Sequence, residues 1–394
     1  MVDFDKPFGL AEYAERIAKA RRRMVAAEID LLVSVDPANI CWLTGYDSWS
    51  FYTPQAVLLH VEEGGPVWWG RPMDEPAAHI TTDLPPDDIV MYADTLVHRP
   101  DVHAFDDLCL LVKARGWDKG CIAVEGDAHF YSLRSHTHLV KGLPEAAFVD
   151  DGNLVNWARL VKSEAELVLM REAGKICTSA MMRAAETIRP GVPQNVVVAE
   201  IFHAQTMGIP GAGGDYTSLV PLLQAGDSTK TPHLTWTDKP LPGDTLAVLE
   251  IAGARRRYQV PNTRTFYLGK PPQRIVDLAK AVIEGGDAAL AAAKPGVTGE
   301  EVEAIWQAVL RRHGLSKDSR VAYSIGLNYP PDWGERTVSF RPGEKTVLEP
   351  GMCFHFQSGV WMDDIGAAVS ESFVVTPSGG ERLCNAPREL IVID

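Results

Sequence analysis

Residues 159–167 (RLVKSEAEL) mark the place where one folded unit ends and another begins. Ser163 and Glu166 have the spacing of a capping box, in which each side chain binds the other residue's backbone N–H at the start of a helix. Just upstream, residues 150–153 (DDGN) carry a strong turn signal. The sequence therefore predicts two domains, residues 1–157 and residues 158–394.

Upstream of this boundary, a helical pattern alternates with short apolar runs. Apolar residues recur at helical spacing between Phe8 and Glu28. The runs typical of buried strands are residues 29–35, 55–61, 66–69 and 121–124. Such alternation predicts an α/β domain, with a mixed sheet covered by helices.

Downstream of the boundary, the chain carries a weak internal repeat. Pro190-Gly191 and Pro295-Gly296, about 105 residues apart, each separate two helical stretches. Pro242-Gly243 and Pro350-Gly351, about 108 residues apart, each precede a strand-like stretch. The similar offsets predict an α+β domain built from two related halves.

The composition is that of a globular protein. Apolar residues make up 46% of the 394 residues and charged residues 23%, which are ordinary values for folded domains. With 38 basic against 52 acidic residues the net charge is −14, a sign that repels phosphate backbones. No apolar run reaches the ~18 residues of a membrane span. Neither nucleic acid nor a membrane is therefore expected as a partner.

The cysteine pattern and the first residues bear on the compartment. The six cysteines are scattered and form no CxxC pair, which in a chain of this length favours a reducing environment. The first ten residues (MVDFDKPFGL) lack the basic and apolar segments of a signal peptide. We therefore expect a cytoplasmic protein.

Four stretches resemble the pita-bread superfamily, which includes methionine aminopeptidase, prolidase and creatinase. Residues 38–46 (ANICWLTGY) are similar to a signature of its N-terminal domain, and residues 159–167 to the opening of its catalytic domain. Residues 263–265 (TRT) and 348–352 (LEPGM) resemble two further motifs, in the family's order. The resemblance implies an α/β N-terminal domain and an α+β pita-bread C-terminal domain with an internal pseudo-twofold repeat.

Metal-dependent members of this superfamily hold two divalent ions with two Asp, one His and two Glu. The resemblance places these ligand positions at Glu250, Pro261, Tyr323, Gln357 and either Ser370 or Glu371. Proline has no side-chain ligand, and Tyr and Gln are poor ligands beside imidazole and carboxylate. We therefore expect no metal and no other cofactor, with a single-metal site on Glu250 and Glu371 as the alternative.

Two residues are the candidate catalytic groups. His233 lies in residues 232–244, which resemble the segment whose histidine faces the substrate in the family and performs acid–base chemistry in creatinase. Glu250 lies in the apolar residues 246–251, where an unpaired carboxylate is costly to bury. It either pairs with an internal arginine such as Arg264 or faces a pocket to bind or attack a cationic substrate.

Aromatic residues in both domains fit a small planar cation. Tyr323 and Trp333 lie where the family builds its substrate pocket, and Gln357 stands at a former metal position, so we predict that all three bind substrate. Trp49 and Tyr52 follow the N-terminal signature, in a region that closes the partner's active site in dimeric relatives. The resemblance thus implies a homodimer with shared active sites.

Two further residues complete the predicted substrate site. Arg264, in the TRT motif, either holds a substrate carboxylate bidentately or forms an internal ion pair. Glu371 is predicted to contact the substrate from the last ligand position of the family. Both predictions require these side chains to reach the pocket.

Together these residues indicate hydrolysis of a C–N bond in a small amidinium or guanidinium carboxylic acid. The residues at the former ligand positions and the stretch 384–390 (CNAPREL) are similar to those of the ectoine hydrolases. These members of the superfamily open the cyclic amidine of ectoine to an acetyl-diaminobutyrate. A creatinase-like amidinohydrolase, a metal-dependent X-Pro dipeptidase and a binding protein without activity are the alternatives. The sequence leaves open whether Glu250 is a covalent nucleophile or an electrostatic partner.

Overall fold

The computed structural model describes residues 6–394, which divide into two units. The division falls after Arg159, whereas the sequence analysis placed it after residue 157. Residues 1–5 of the predicted first domain lie outside the described residues. Within the described part of the chain, no helix is both long enough and apolar enough to cross a lipid bilayer.

The N-terminal unit is a six-stranded mixed sheet with helices packed against it. Its elements are α1 (Leu10–Ala26), β1 (Leu31–Ser34), α2 (Pro37–Thr44), β2 (Ala56–His60), β3 (Val67–Gly70), α3 (Glu75–Thr81), β4 (Ile89–Met91), α4 (Ala104–Ala114), β5 (Gly120–Val124), α5 (Leu133–Gly142), β6 (Ala146–Asp150) and α6 (Leu154–Ala158). The strand order is β4-β3-β2-β1-β5-β6. Leu31 and Val33 lie in one buried apolar cluster and Leu32 in another, because successive strand side chains point to opposite faces.

The C-terminal unit contains two larger sheets and four long helices. Its elements are α7 (Glu164–Thr187), α8 (Gln194–Met207), β7 (Leu222–Ala225), β8 (Thr245–Arg255), β9 (Tyr258–Leu268), α9 (Gln273–Ala292), α10 (Gly299–Arg312), β10 (Ala322–Ile325), β11 (Gly334–Phe340), β12 (Cys353–Phe356), β13 (Gly359–Trp361), β14 (Gly366–Ala368), β15 (Glu371–Thr376), β16 (Gly379–Arg382) and β17 (Ile391–Ile393). One sheet has the order β17-β9-β8-β7 and the other β11-β10-β12-β15-β16, while β13 and β14 form a separate pair.

The predicted capping box and repeat both occur in this unit. Ser163 N–H donates to Glu166 Oε2 at 2.9 Å, and Glu166 N–H donates to Ser163 Oγ at 3.2 Å. Pro190-Gly191 lies between α7 and α8, and Pro295-Gly296 lies between α9 and α10. A helix pair followed by sheet strands therefore occurs twice along the chain, as the sequence predicts.

The long hairpin of β8 and β9 positions the site described below. The two strands pair antiparallel along their whole length. Arg256 and Arg257, with φ angles of 48° and 68°, form the two-residue turn between them, because a turn of this length needs positive φ to match the strand twist. Helix α7 packs so closely on β8 that a Cβ on Gly253 would collide with its backbone. The hairpin is thus fixed from one side by a helix.

Candidate active site

The C-terminal unit contains a cavity of about 510 Å³ that receives side chains from both sheets. Its polar walls include His233, Glu250, Lys317, Arg320, Tyr323 and Gln357. Trp333 and Trp361 add aromatic surface. The structure therefore brings together five of the predicted site residues, His233, Glu250, Tyr323, Trp333 and Gln357.

Glu250 is held at the centre of β8, where Leu222 of β7 and Thr263 of β9 flank it. Its Oε2 accepts a hydrogen bond from Gln357 Nε2 at 3.1 Å. Gln357 Oε1 in turn accepts one from Thr263 Oγ1 at 3.1 Å, which fixes the amide so that its NH₂ group faces the carboxylate. The carboxylate thus has a neutral partner.

No arginine pairs with Glu250. Within residues 6–394, the one basic group inside 4 Å of its carboxylate is His355, whose Nδ1 lies 3.9 Å from Oε1. That distance is too long for a hydrogen bond. Burial, helped by the charges of Lys317 and Arg320, lowers the pKa of His355 to about 3, so the imidazole is neutral and forms no ion pair. Of the two alternatives for Glu250, the structure favours the cavity-facing one.

Burial controls the charge of two groups in the cavity. It raises the pKa of Glu250 from 4.5 to about 7, although the Gln357 amide and the charge of Lys317 act in the opposite direction. Burial also lowers the pKa of Lys317 from 10.5 to about 7, against the attraction of Glu250. A carboxylate and an amine that both titrate near neutrality in one cavity are typical of a functional site.

Tyr323 belongs to a chain of hydrogen bonds behind the cavity. It pairs with His355 across β10 and β12, and its hydroxyl lies 2.8 Å from His355 Nδ1. Trp333 Nε1–H donates to the same hydroxyl at 2.7 Å. On the far side of the imidazole, Nε2 lies 2.7 Å from Ser370 Oγ. Burial raises the pKa of Tyr323 well above its usual value, so this phenol remains protonated.

We assign the protons of this hydrogen-bond network from Ser370. Ser370 Oγ accepts a hydrogen bond from Thr263 N–H at 2.7 Å, and we assign its own hydrogen to the contact with His355 Nε2. With this assignment the neutral imidazole carries its proton on Nδ1 and donates it to Tyr323. With two donors already directed at its oxygen, the Tyr323 O–H is left to donate into the cavity.

The donor set at the family's metal positions does not fit a pair of divalent cations. Among these positions, Glu250 alone supplies a carboxylate to the cavity, where it is hydrogen-bonded to Gln357; Glu371, the alternative at the fifth position, is paired with Arg264. Pro261 offers no side-chain ligand, and Ser370 Oγ is engaged by Thr263 and His355. Across residues 6–394, no three His, Cys, Asp or Glu side chains are grouped to hold a metal ion. Hard divalent cations require several oxygen ligands, mostly charged, and this site does not provide them.

The predictions for Arg264 and Glu371 need correction, because neither lines the cavity. Arg264 Nη2 pairs with Glu371 Oε1 at 2.9 Å, and the remaining N–H groups of Arg264 donate to backbone carbonyls, including that of Ser370. Glu371 also pairs with Arg382 and Arg388. Strand alternation explains the error: Thr263 and Ser370 point to the site, so the residues that follow them point away.

The remaining predicted residues lie at surfaces. His233 is exposed where it lines the cavity. Trp49 and Tyr52 belong to the N-terminal unit, where 56% and 62% of their surfaces are exposed.

Sequence reasoning missed His355, Lys317 and Arg320. His355 lies in the strand sequence CFHF, where it alternates with two buried phenylalanines; this pattern indicates only that it faces the other side of the sheet. Lys317 and Arg320 lie in the loop between α10 and β10, with no motif around them. Only the pairing of β10 with β12 and the path of this loop bring these residues to Glu250.

Two family models match the chain. Residues 168–377 match "Metallopeptidase family M24", and residues 16–161 match "Creatinase/Prolidase N-terminal domain". The chain is 43% identical to the ectoine hydrolase of Halomonas elongata, with 100% of each chain covered. It is 44% identical to an uncharacterized hydrolase/peptidase of Sinorhizobium fredii, over 98% of this chain and 99% of that protein.

A solved structure shows the same fold. The prolidase from Thermococcus sibiricus superposes with a TM-score of 0.83 at 17% identity, covering 98% of this chain and 100% of the prolidase. The predicted fold class, an α/β domain followed by a pita-bread domain, is thereby confirmed. The chain therefore belongs to metallopeptidase family M24, and it carries the N-terminal domain of the creatinases and prolidases.

Proposed function

We propose that this protein is a metal-independent hydrolase that opens the cyclic amidine ring of ectoine. The observation that carries the proposal is Glu250, a buried carboxylate that faces a cavity and is bonded to an amide rather than to a cation. The full-length similarity of the chain to an enzyme named ectoine hydrolase supports the same substrate.

A cationic ligand offsets the free-energy cost of burying the ionised Glu250 carboxylate. An ionised carboxylate that lacks a charged partner is expensive to keep out of water. The amidinium of ectoine supplies the missing positive charge, and the faces of Tyr323 and Trp333 suit a planar cation. Binding therefore favours the ionised form of Glu250, which is the form that the reaction needs.

The reaction adds water to the amidinium carbon and breaks one of its two C–N bonds. Glu250 either adds to that carbon first, with water then releasing the acyl group, or holds the cation while water adds directly. In both routes the leaving ring nitrogen takes up a proton, and the product is an acetyl-diaminobutyrate. His233, whose imidazole can both accept and donate a proton, moves protons between solvent and the leaving nitrogen.

The hydroxyl of Tyr323 has a separate role in this scheme. The hydrogen that it directs into the cavity binds the oxygen that adds to the amidinium carbon, and so orients the tetrahedral adduct as the charge of the amidinium is lost. Because His355 and Trp333 both donate to the phenol oxygen, the hydroxyl is held in one orientation. Such fixed donors stabilise a transition state without the cost of reorganisation.

Metal independence is part of the proposal. It is supported by the donor set at the former ligand positions, in which an amide, a phenol and a proline replace charged ligands. We expect turnover to continue after treatment with a chelator, and to gain nothing from added divalent ions. Loss of activity that zinc or manganese restores would refute this part of the proposal.

We further propose a cytoplasmic homodimer in which Trp49 and Tyr52 of one copy close the cavity of the other. Large exposed aromatic side chains mark interaction surfaces, and both residues are exposed in the single chain. All six cysteines are free thiols, in keeping with a reducing compartment. A solution mass near that of one chain, 43.1 kDa, would contradict the shared-site arrangement.

The test is a proton NMR time course of chelator-treated protein with ectoine. We expect the ring signals to decay while signals of an open-chain acetyl compound grow. Glu250→Ala is expected to abolish this conversion, and Glu389→Gln, which removes an exposed carboxylate outside the cavity, serves as the matched control. Unchanged ectoine with the wild-type protein, with or without divalent ions, would refute the proposed function.

A further inference from the structure

We infer that Lys317 and Arg320 form a subsite for the substrate's carboxylate, which makes the cavity selective for zwitterions. The inference rests on the proposed function and assigns the part of the substrate that Glu250 does not contact. Arg264, which the sequence suggested for this task, is buried against Glu371, so the carboxylate needs another cation.

Lys317 places its amine inside the cavity. Its Nζ donates to the backbone carbonyl of Gln357 at 3.0 Å, directly beside the amide that holds Glu250. The ammonium also lies 5.0 Å from the ring centre of Trp361 and 5.7 Å from that of Trp306. These contacts hold the amine in place but leave N–H donors unused, since an ammonium has three.

Arg320 lies three residues further along the same loop. Its guanidinium stacks over the ring of Tyr323, 4.5 Å from the ring centre, and its Nη1 donates to Ser339 Oγ at 3.1 Å. A guanidinium has five N–H donors and can bind a carboxylate through two of them at once. The stacking fixes its plane next to the hydroxyl that faces the substrate.

Neither cation has a carboxylate partner within residues 6–394. The other side of the same sheets is different, because Arg264, Arg382 and Arg388 all converge on Glu371. Two cations that face one cavity without a carboxylate partner among the described residues can bind the carboxylate of a ligand.

The charges in the cavity match both ends of the substrate. Ectoine carries its carboxylate on the ring carbon next to an amidine nitrogen, so its two charges are close together. Glu250 meets the amidinium, while Lys317 and Arg320 meet the carboxylate. Asp332, the second carboxylate of the cavity wall, is held by the Gly334 N–H at 2.9 Å. A ligand without a cationic group leaves the buried Glu250 without a counter-charge, and a ligand without a carboxylate leaves the partly buried Lys317 without one, which is unfavourable. Arg320 is exposed and adds its charge at the cavity wall.

The experiment compares two ligands in matched variants. The ligands are ectoine and the same methyl-tetrahydropyrimidine ring without its carboxyl group. For both ligands the dissociation constant is measured by calorimetry, and for ectoine kcat/KM is measured as well. Lys317→Met and Arg320→Gln remove one charge each, whereas Lys317→Arg and Arg320→Lys retain it. Urea unfolding confirms that each variant is folded.

We expect each charge-removing variant to bind ectoine about 10- to 100-fold more weakly, the usual effect of losing a charge-assisted hydrogen bond. The affinity for the carboxyl-free ring should change less than about threefold, and the charge-retaining variants should recover most of the ectoine affinity. Equal weakening of both ligands, or unchanged ectoine binding, would overturn the inference. If the wild-type protein opens ectoine in that case, the inference alone fails; if it neither binds nor opens ectoine, the proposed function fails.

Discussion

Replacing Glu250 by Gln should make the fold more stable at alkaline pH while it removes turnover. The substitution keeps the shape of the side chain and an oxygen that accepts the hydrogen bond of Gln357. It removes only the negative charge, whose burial raises the pKa of Glu250 from 4.5 to about 7. At 1.36 kcal/mol per pKa unit, this difference corresponds to about 3 kcal/mol.

The pH dependence follows from the direction of the pKa change. Below pH 4.5 Glu250 is protonated in both the folded and the unfolded chain, so burying it costs nothing electrostatic. Above about pH 7 it is ionised in both, and the folded state bears the full cost of about 3 kcal/mol. Lys317 does not offset this cost, because burial lowers its own pKa to about 7 and it loses its charge over the same range.

The assay is urea unfolding of wild type and Glu250→Gln at about pH 5 and about pH 8.5. The stability gained by the variant should be about 2 kcal/mol larger at the higher pH, because a gain of about 1 kcal/mol is already present at the lower one. Glu389→Gln, at an exposed position, should show no such difference between the two pH values. Parallel pH profiles for wild type and Glu250→Gln would refute the account of Glu250 as a buried carboxylate with a raised pKa.

Three further predictions concern the same unit. The profile of kcat/KM for ectoine against pH should peak near pH 7, because Glu250 binds a proton below that value and Lys317 loses one above it; a flat profile from pH 6 to 8 would contradict this. Arg264→Met should lower the free energy of unfolding by about 1–3 kcal/mol, measured with urea, because the buried carbonyls of Ser370 and Ala386 lose a donor, while Glu371 keeps its other two arginine partners. Tyr323→Phe should reduce kcat for ectoine about 10- to 100-fold in steady-state assays with the circular dichroism spectrum unchanged, since one fixed donor is lost; an equal loss of secondary structure would show a structural role instead.

Local patterns in the sequence were sufficient for much of the fold. The capping box at Ser163 and the paired Pro-Gly signals located helices and strands, because these features act within a few residues of where they occur. The resemblance to the family implied that Pro261 and Gln357 stand at metal-ligand positions, and the chemistry of these two side chains then argues against a metal there. These conclusions needed no knowledge of which residues lie close in space.

Strand register decided what the sequence left open. Arg264 and Glu371 each follow a residue that faces the site, and a shift of one position moves a strand side chain to the opposite face. The sequence analysis could not resolve this single step: it placed Glu371 at the substrate and left Arg264 open between a substrate carboxylate and an internal ion pair. In the folded chain, Arg264 of β9 and Glu371 of β15 form an ion pair with each other.

The sequence by itself predicted two units and singled out Glu250 as a candidate catalytic group, and its resemblance to the family indicated which metal-ligand positions hold other residues. The tertiary structure alone decided which groups surround that carboxylate. His355 reaches Tyr323 because β10 and β12 pair antiparallel, and Lys317 reaches Gln357 from a loop 40 residues earlier in the chain. The titration of Glu250 and Lys317 near neutrality also belongs to the folded chain, because it results from burial, and burial depends on every residue packed around them.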